Sequence, residues 1–351
     1  MTHLQGFSSI SQALIVLAAI AIILLFVKFA APILAPVLLA AFIAIVSLPP
    51  LRWMVQHGVP KWIALAAILF LLFDFGSILA LLMTSGLEGF RENLPGYQQR
   101  FELLSEQLGN WLEAAGIEGS RAALPDMVDA RKVVSFVRAM LASVSNTLGV
   151  GLLVLLTVAF ILAEASNFGP RIKKAFGGSE TFQFQFGRVL DSLSQYMLIK
   201  IVSSFATGLV VWILLWVLGI DFAALWAILA FVLNFIPFVG AILMMIPPVL
   251  LATVQADLET ALLVAVGFIA ANTIIGNVLE PRFMGEGLGI STLTVFLSLI
   301  FWGWLLGTIG VFLSVPLTIV LIAVLEANES TRPLAVLLSA DADKNSLSDE
   351  T

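Results

Sequence analysis

The chain has 351 residues, of which 60% are hydrophobic and only 11% charged, with a mean hydropathy of +1.06. Soluble domains carry about 25% charged residues, so this composition excludes a soluble globular fold and points to the bilayer as solvent. The formal charge of −6 comes without a basic tract, which argues against a nucleic-acid partner, and there is no cysteine for disulfides, thiolate nucleophiles or metal thiolates.

The apolar residues arrive in runs of about 17–25, the length that crosses a hydrocarbon core at 1.5 Å per residue. In chain order the runs fall near 11–28, 31–48, 61–83, 147–165, 201–219, 221–236, 237–254, 260–279, 290–306 and 308–326. They predict an all-α, polytopic transmembrane helix bundle of about eight spans, some of them broken or re-entrant hairpins. The first run, Ser11 to Val27, has neither a basic n-region nor a small-residue cleavage site and reads as a retained helix. The two histidines, His3 and His57, lie outside the long runs, which removes histidine-based zinc sites; no cofactor or metal is expected.

Asp74 stands in Phe73-Asp74-Phe75, thirteen residues beyond Lys61. That is about 20 Å along a helix, past the middle of a roughly 30 Å core, so Asp74 is a proton- or cation-coupling candidate. The alternative is a hydrated or protonated carboxyl hydrogen-bonded within the bundle. Residues 84–146 then interrupt the apolar series with Glu88, Glu92, Glu102, Glu106 and Arg100 among leucines at helical spacing, predicting an external amphipathic helical region. A second polar stretch, 166–200, carries Arg171, Lys173, Lys174, Arg188 and Lys200. Lys/Arg bias places this stretch and the 49–61 loop in the cytoplasm, with the N- and C-termini on the same side. The expected parts are 1–83 (transmembrane helices), 84–146 (external insert), 147–200 (helix and basic loop), 201–327 (transport core) and 328–351 (cytoplasmic tail, polar and disordered from Asp341).

The 201–327 part differs in texture. Proline and glycine break its apolar runs at Asn234-Phe-Ile-Pro237-Phe-Val-Gly240, at Pro247-Pro248 and from Gly310 to Pro316. Proline removes an intrahelical hydrogen bond, and a broken helix survives in a membrane only against protein or a watery cavity. Gly240…Pro247 resembles Gly310…Pro316, and each follows one fuller span and a short apolar piece. This pattern predicts an inverted repeat with two broken hairpins entering from opposite faces. Between the units, Asn277, Glu280, Pro281, Arg282 and Gly285 form the densest polar group near the membrane. Glu280 and Arg282 there either present charge to a solute or cap a helix end at the interface.

These motifs, in this order, resemble the AI-2E family of bacterial membrane proteins, the autoinducer-2 exporter-like permeases. The resemblance runs through essentially the whole chain and is sharpest over 190–320. It implies a multi-pass protein of the bacterial inner membrane that moves a small solute outward, with a homo-oligomer, a pentamer among the forms it suggests. Its substrate pathway would draw on Asn234, Pro237, Gly240, Asn277, Glu280, Pro281, Arg282, Gly285, Gly310 and Pro316. A sodium(cation)/proton antiporter, as in other branches of the family, is the second reading. A membrane scaffold that binds a partner through the external helices is the third. An enzyme is least favoured, because the sequence offers no nucleophile–base or metal constellation.

Overall fold

The computed structural model describes residues 9–114, 150–175, 180–284 and 290–339, with single helical positions at 135, 139 and 142. Gly285, the amphipathic insert beyond 114 apart from those positions, and the tail from Asp341 lie outside the described residues. Among the described residues the elements are helical, and β-pairing is confined to one antiparallel bridge, Ile290–Ser339.

Helix α1 (Ser9–Gln56) joins the two apolar runs expected at 11–28 and 31–48 into one helix of about 72 Å. The two residues between the runs, Phe29 and Ala30, include no turn-forming glycine, asparagine or aspartate. Pro32 and Pro36 lie inside the helix without ending it. After the His57–Pro60 turn, α2 (Lys61–Ala114) runs back as a second long helix and carries the first part of the amphipathic insert without a break. Helix α3 (Gly151–Ala175) packs Val154, Val158 and Leu162 against Ala40 and Ala44 of α1 and Ala64 and Ile68 of α2. The Lys61 ammonium donates to the Ala163 carbonyl at 2.9 Å, fixing that end of the three-helix group.

Helix α4 (Glu180–Val217) is the axis of the remainder. A tight turn at Gly219 (φ 68°) leads into α5 (Ala223–Leu233), and a second turn leads into α6 (Val239–Gln255). At about 17 Å, α5 is too short to cross a hydrocarbon core. It is apolar all round and correspondingly buried, from Leu225 through Ala230. The two ends of this first hairpin meet, since the Gln255 amide donates to the Gly219 carbonyl and accepts from the Asp221 N–H, each at 3.0 Å. The hairpin therefore enters and leaves at one end of α4.

Helix α7 (Leu258–Asn272) starts at that same end, capped by Asp257. The Asp257 side chain accepts from the Thr260 N–H at 2.7 Å, and this bond holds its carboxyl below the usual carboxylate range. The chain then returns antiparallel to α4: Gly267 lies against Leu214, and Glu280 bonds Lys200. A π-helical segment, Thr273–Leu279, joins α7 to the short α8 (Glu280–Met284). The second hairpin, α9 (Thr292–Leu306) followed by α10 (Thr308–Phe312) and α11 (Ser314–Glu326), starts from this opposite end of α4. Helix α12 (Arg332–Leu338) returns to the hairpin's start, where Ser291 N–H donates to Leu338 O. The two broken hairpins thus approach from opposite ends.

Gly240 and Gly310 do the same job in the two hairpins. A Cβ on Gly240 would stand 1.9 Å from the Leu233 carbonyl oxygen, and one on Gly310 would stand 2.0 Å from the Trp302 carbonyl oxygen. Each glycine lets the returning helix press against backbone of the entering one. Such contact matters here because lipid supplies no hydrophobic force to hold helices together. Gly240→Ala and Gly310→Ala are expected to lower stability by about 1–3 kcal/mol through overpacking. Gly96→Ala, with nothing near its Cβ position, should cause no loss. Thermal unfolding in detergent separates them, and equal losses at all three positions would contradict the packing account.

Candidate functional site

One face of α4 carries a polar seam. Lys200, Ser203, Ser204 and Thr207 recur at three- and four-residue spacing, so they stack along one side of the helix, and all four are buried. Tyr196, one turn earlier, is buried in the core formed with α1 and the second hairpin.

Two elements close on the seam. From the first hairpin, Asn234 at the end of α5 donates its amide to the Ser204 hydroxyl at 3.0 Å. Asn234 opens the turn to α6, where Phe238 holds φ at 59°, a conformation that bulky side chains rarely adopt. From the other side, the Lys200 ammonium donates to both Glu280 carboxylate oxygens, at 2.8 and 3.2 Å, and the Ser203 hydroxyl donates to Oε1 at 2.5 Å. The Lys200 and Glu280 side chains are only 9% and 11% exposed. Paired and hydrogen-bonded in this way, neither charge is left uncompensated.

The π segment decides that Glu280 reaches α4. The buried positions of α7 run Ala261, Val264, Phe268, Ala271 and Ile275, at steps of three and four. The next α-helical step would bring in Val278 or Leu279, yet both are exposed. The Glu280 N–H instead bonds the Ile275 carbonyl, five residues back, and the extra residue turns Glu280 onto α4.

The other end of α4 is tied differently. There the Tyr97 hydroxyl of α2 donates to the Asp221 carboxylate at 2.7 Å, and Arg100 donates to the Gln255 carbonyl at 3.2 Å. Gly86 and Gly89 let α2 approach closely, since a Cβ on either would meet Leu225 or Phe222 within 2.8 Å. Phe222 itself holds φ at 59° at the start of α5, and Trp226 Nε1 donates to the Asp221 carbonyl. From Lys200 to Val217 the seam helix covers about 26 Å, close to a hydrocarbon thickness.

The remaining sequence candidates fall into four groups. Pro237 and Gly240 sit with Asn234 at the first hairpin's turn. Gly310 and Pro316 are buried in the second hairpin, against α1. Pro281 and Arg282 flank Glu280 but are exposed, as is Asn277. Asp74 is exposed on α2, next to Phe75, whose ring meets Phe231 edge-on at 5.9 Å, which puts it at the level of the first hairpin's turn. Sequence reading passed over Ser203, Ser204 and Thr207 and took Lys200 only as the last cation of the basic 166–200 stretch. The signal was their i, i+3, i+4, i+7 spacing within an apolar span.

Lys200→Met alone strands the Glu280 carboxylate and should cost about 3–5 kcal/mol, whereas Lys200→Met combined with Glu280→Met should recover most of that loss. Unfolding in detergent measures both, and simple additivity of the two single losses would count against the pairing.

The long apolar helices are of a length and composition to cross a membrane, and the buried polar seam lies on one of them between two opposed broken hairpins. The sequence profile of AI-2E family transporters matches residues 14–330. The AI-2 transport protein TqsA of Escherichia coli K12 is 38% identical over 328 residues, covering 93% of this chain and 95% of TqsA. YhhT of the same organism, named as a transport protein by inference, is 33% identical over 334 residues, covering 95% of this chain and 96% of its own. A similarly named transport protein of Haemophilus influenzae is 36% identical over 341 residues, covering 95% and 98% respectively. With the family's sequence profile matching residues 14–330 and relatives aligned over nearly the full length, this chain belongs to the AI-2E transporter family.

Proposed function

We propose that this protein exports a small hydroxylated solute across the bacterial inner membrane, along the α4 seam between the turns of the two hairpins. The observation that carries the reading is the buried Ser203–Ser204–Thr207 face with Asn234 set against it. Hydroxyl and amide groups buried in a membrane bundle can exchange hydrogen bonds with a polar solute as it passes, which lowers its desolvation cost. The name of TqsA supplies the first solute to try, AI-2. The Lys200–Glu280 pair would close one mouth and the Asp221–Tyr97 contact the other. The absence of a Gly-x4-Gly-Lys-Ser/Thr loop in the sequence leaves a gradient or a partner as the energy source.

Orientation follows the basic loops: the 49–61 turn, the Glu280 mouth and the C-terminus face the cytoplasm, Asp221 and the end of α2 face outward, and α1, a single helix ending at the 49–61 turn, carries Ser9 to the outer side instead of the cytoplasmic side expected from the sequence. Self-association into a homo-oligomer belongs to the same proposal, and the exposed apolar faces of α1 and α2 offer area for it. Its mass in lipid nanodiscs reads the copy number.

Two measurements test the proposal. Proteoliposomes loaded with AI-2 should lose it faster when they contain the protein, and Asn234→Leu should cut that rate by about tenfold by blocking the seam with an apolar side chain. Loading retained equally with and without protein would defeat the AI-2 reading. Single cysteines at Asp221 and Arg282 should label with impermeant maleimide from outside and inside respectively; swapped sides would reverse the orientation, and labelling from one shared side would defeat the opposed placement.

A further inference from the structure

We infer that the π segment Thr273–Leu279 is a one-residue register switch that works the Lys200–Glu280 gate. In the register seen, the extra residue of the π turn holds Glu280 on Lys200 and Ser203. Collapse of that turn to α-helix rotates α8, the short helix it leads into, by about 100° and moves it by about 1.5 Å along the axis. Glu280 then leaves α4, and Leu279 takes its place beside Ser203. The gate trades a charge pair for an apolar side chain, and the Lys200 ammonium is freed to face the seam.

Four local features fit such a slip. Pro281 has no N–H, so the helix already lacks one ladder bond just beyond the π turn, and the slip loses none there. Gly276 has only the Asn272 side-chain oxygen near its Cβ position, at 3.5 Å, so the turning backbone meets no neighbouring helix at that point. Val278 and Leu279 are exposed, so no packing pins them where they are. Ile275, the last buried residue before the gate, anchors the segment on the near side and leaves the slip to act only downstream. The two registers differ by one residue, which makes the element two-state and not continuously deformable, as a gate requires.

This inference deepens the transport reading and rests on it only for the efflux arm of its test. The chain contains no cysteine, so cysteine pairs report the register directly. In the full-length protein, Ser203→Cys with Leu279→Cys should form a disulfide under mild oxidant, at a rate raised about tenfold by Lys200→Met, which removes the lock on the π register. Deletion of Val278 restores α-helical spacing with Glu280 already on α4. It should abolish the 203–279 disulfide and reduce AI-2 efflux from proteoliposomes by about tenfold or more, because the gate can no longer slip. A fixed register gives no 203–279 disulfide in either background, and that result overturns the inference even if the deletion variant fails to fold. Wild-type efflux from a folded deletion variant overturns it as well. Absence of AI-2 efflux from the wild-type protein would sink the cargo assignment instead, while the disulfide pair still reads the register.

Discussion

Hydrocarbon offers no hydrogen-bond partner, and the core of this protein is organised around that constraint. A helix that stops inside the membrane exposes unpaired backbone groups, and each costs several kcal/mol unless protein covers it. Both broken hairpins meet the demand by lying against α4 and by closing on themselves through a glycine. Where a side chain would have held the returning helix away, Gly240 and Gly310 allow direct backbone contact with Leu233 and Trp302. The apolar surround of Trp226, Leu229, Met244 and Phe268 then fills the space about the first hairpin.

That solution leaves α4 with two dissimilar ends. At one end a lysine and a glutamate neutralise each other, with a serine hydroxyl as third partner. At the other, a tyrosine, an arginine and a glutamine tie α2 and both hairpin ends together through single hydrogen bonds. The first closure can be opened only by separating charges or exchanging what faces Lys200. The second involves the amphipathic continuation of α2, which ties that part of the helix to both ends of the first hairpin.

Much of this was legible in the sequence. Composition settled the membrane class, and the order of Asn, Pro and Gly breaks marked the two hairpins and their family. Glycine and proline are readable because they act through their own backbone. The continuity of α1 was less so: its apolar residues read as two runs, 11–28 and 31–48, but nothing between them ends a helix, and prolines within a bundle are tolerated where neighbours re-satisfy the freed groups. The seam was hidden because serine and threonine are common in membrane helices, and only their meeting with Asn234 and Glu280 distinguishes them. The π turn was the least accessible. Its register depends on which residue α4 accepts, a tertiary contact that no local pattern in Thr273–Leu279 encodes.

The brevity of α5 has a consequence for how the protein is made. Eleven residues cannot anchor themselves across a bilayer, and the faces of α5 are committed to α2, α4 and α6. Both α2 and α4 precede it in the chain and α6 follows it directly, so the hairpin emerges with its partners already made. It therefore needs no stable stay in lipid as an independent unit: α5 can pass from the insertion machinery onto α2 and α4 as α6 closes the hairpin behind it.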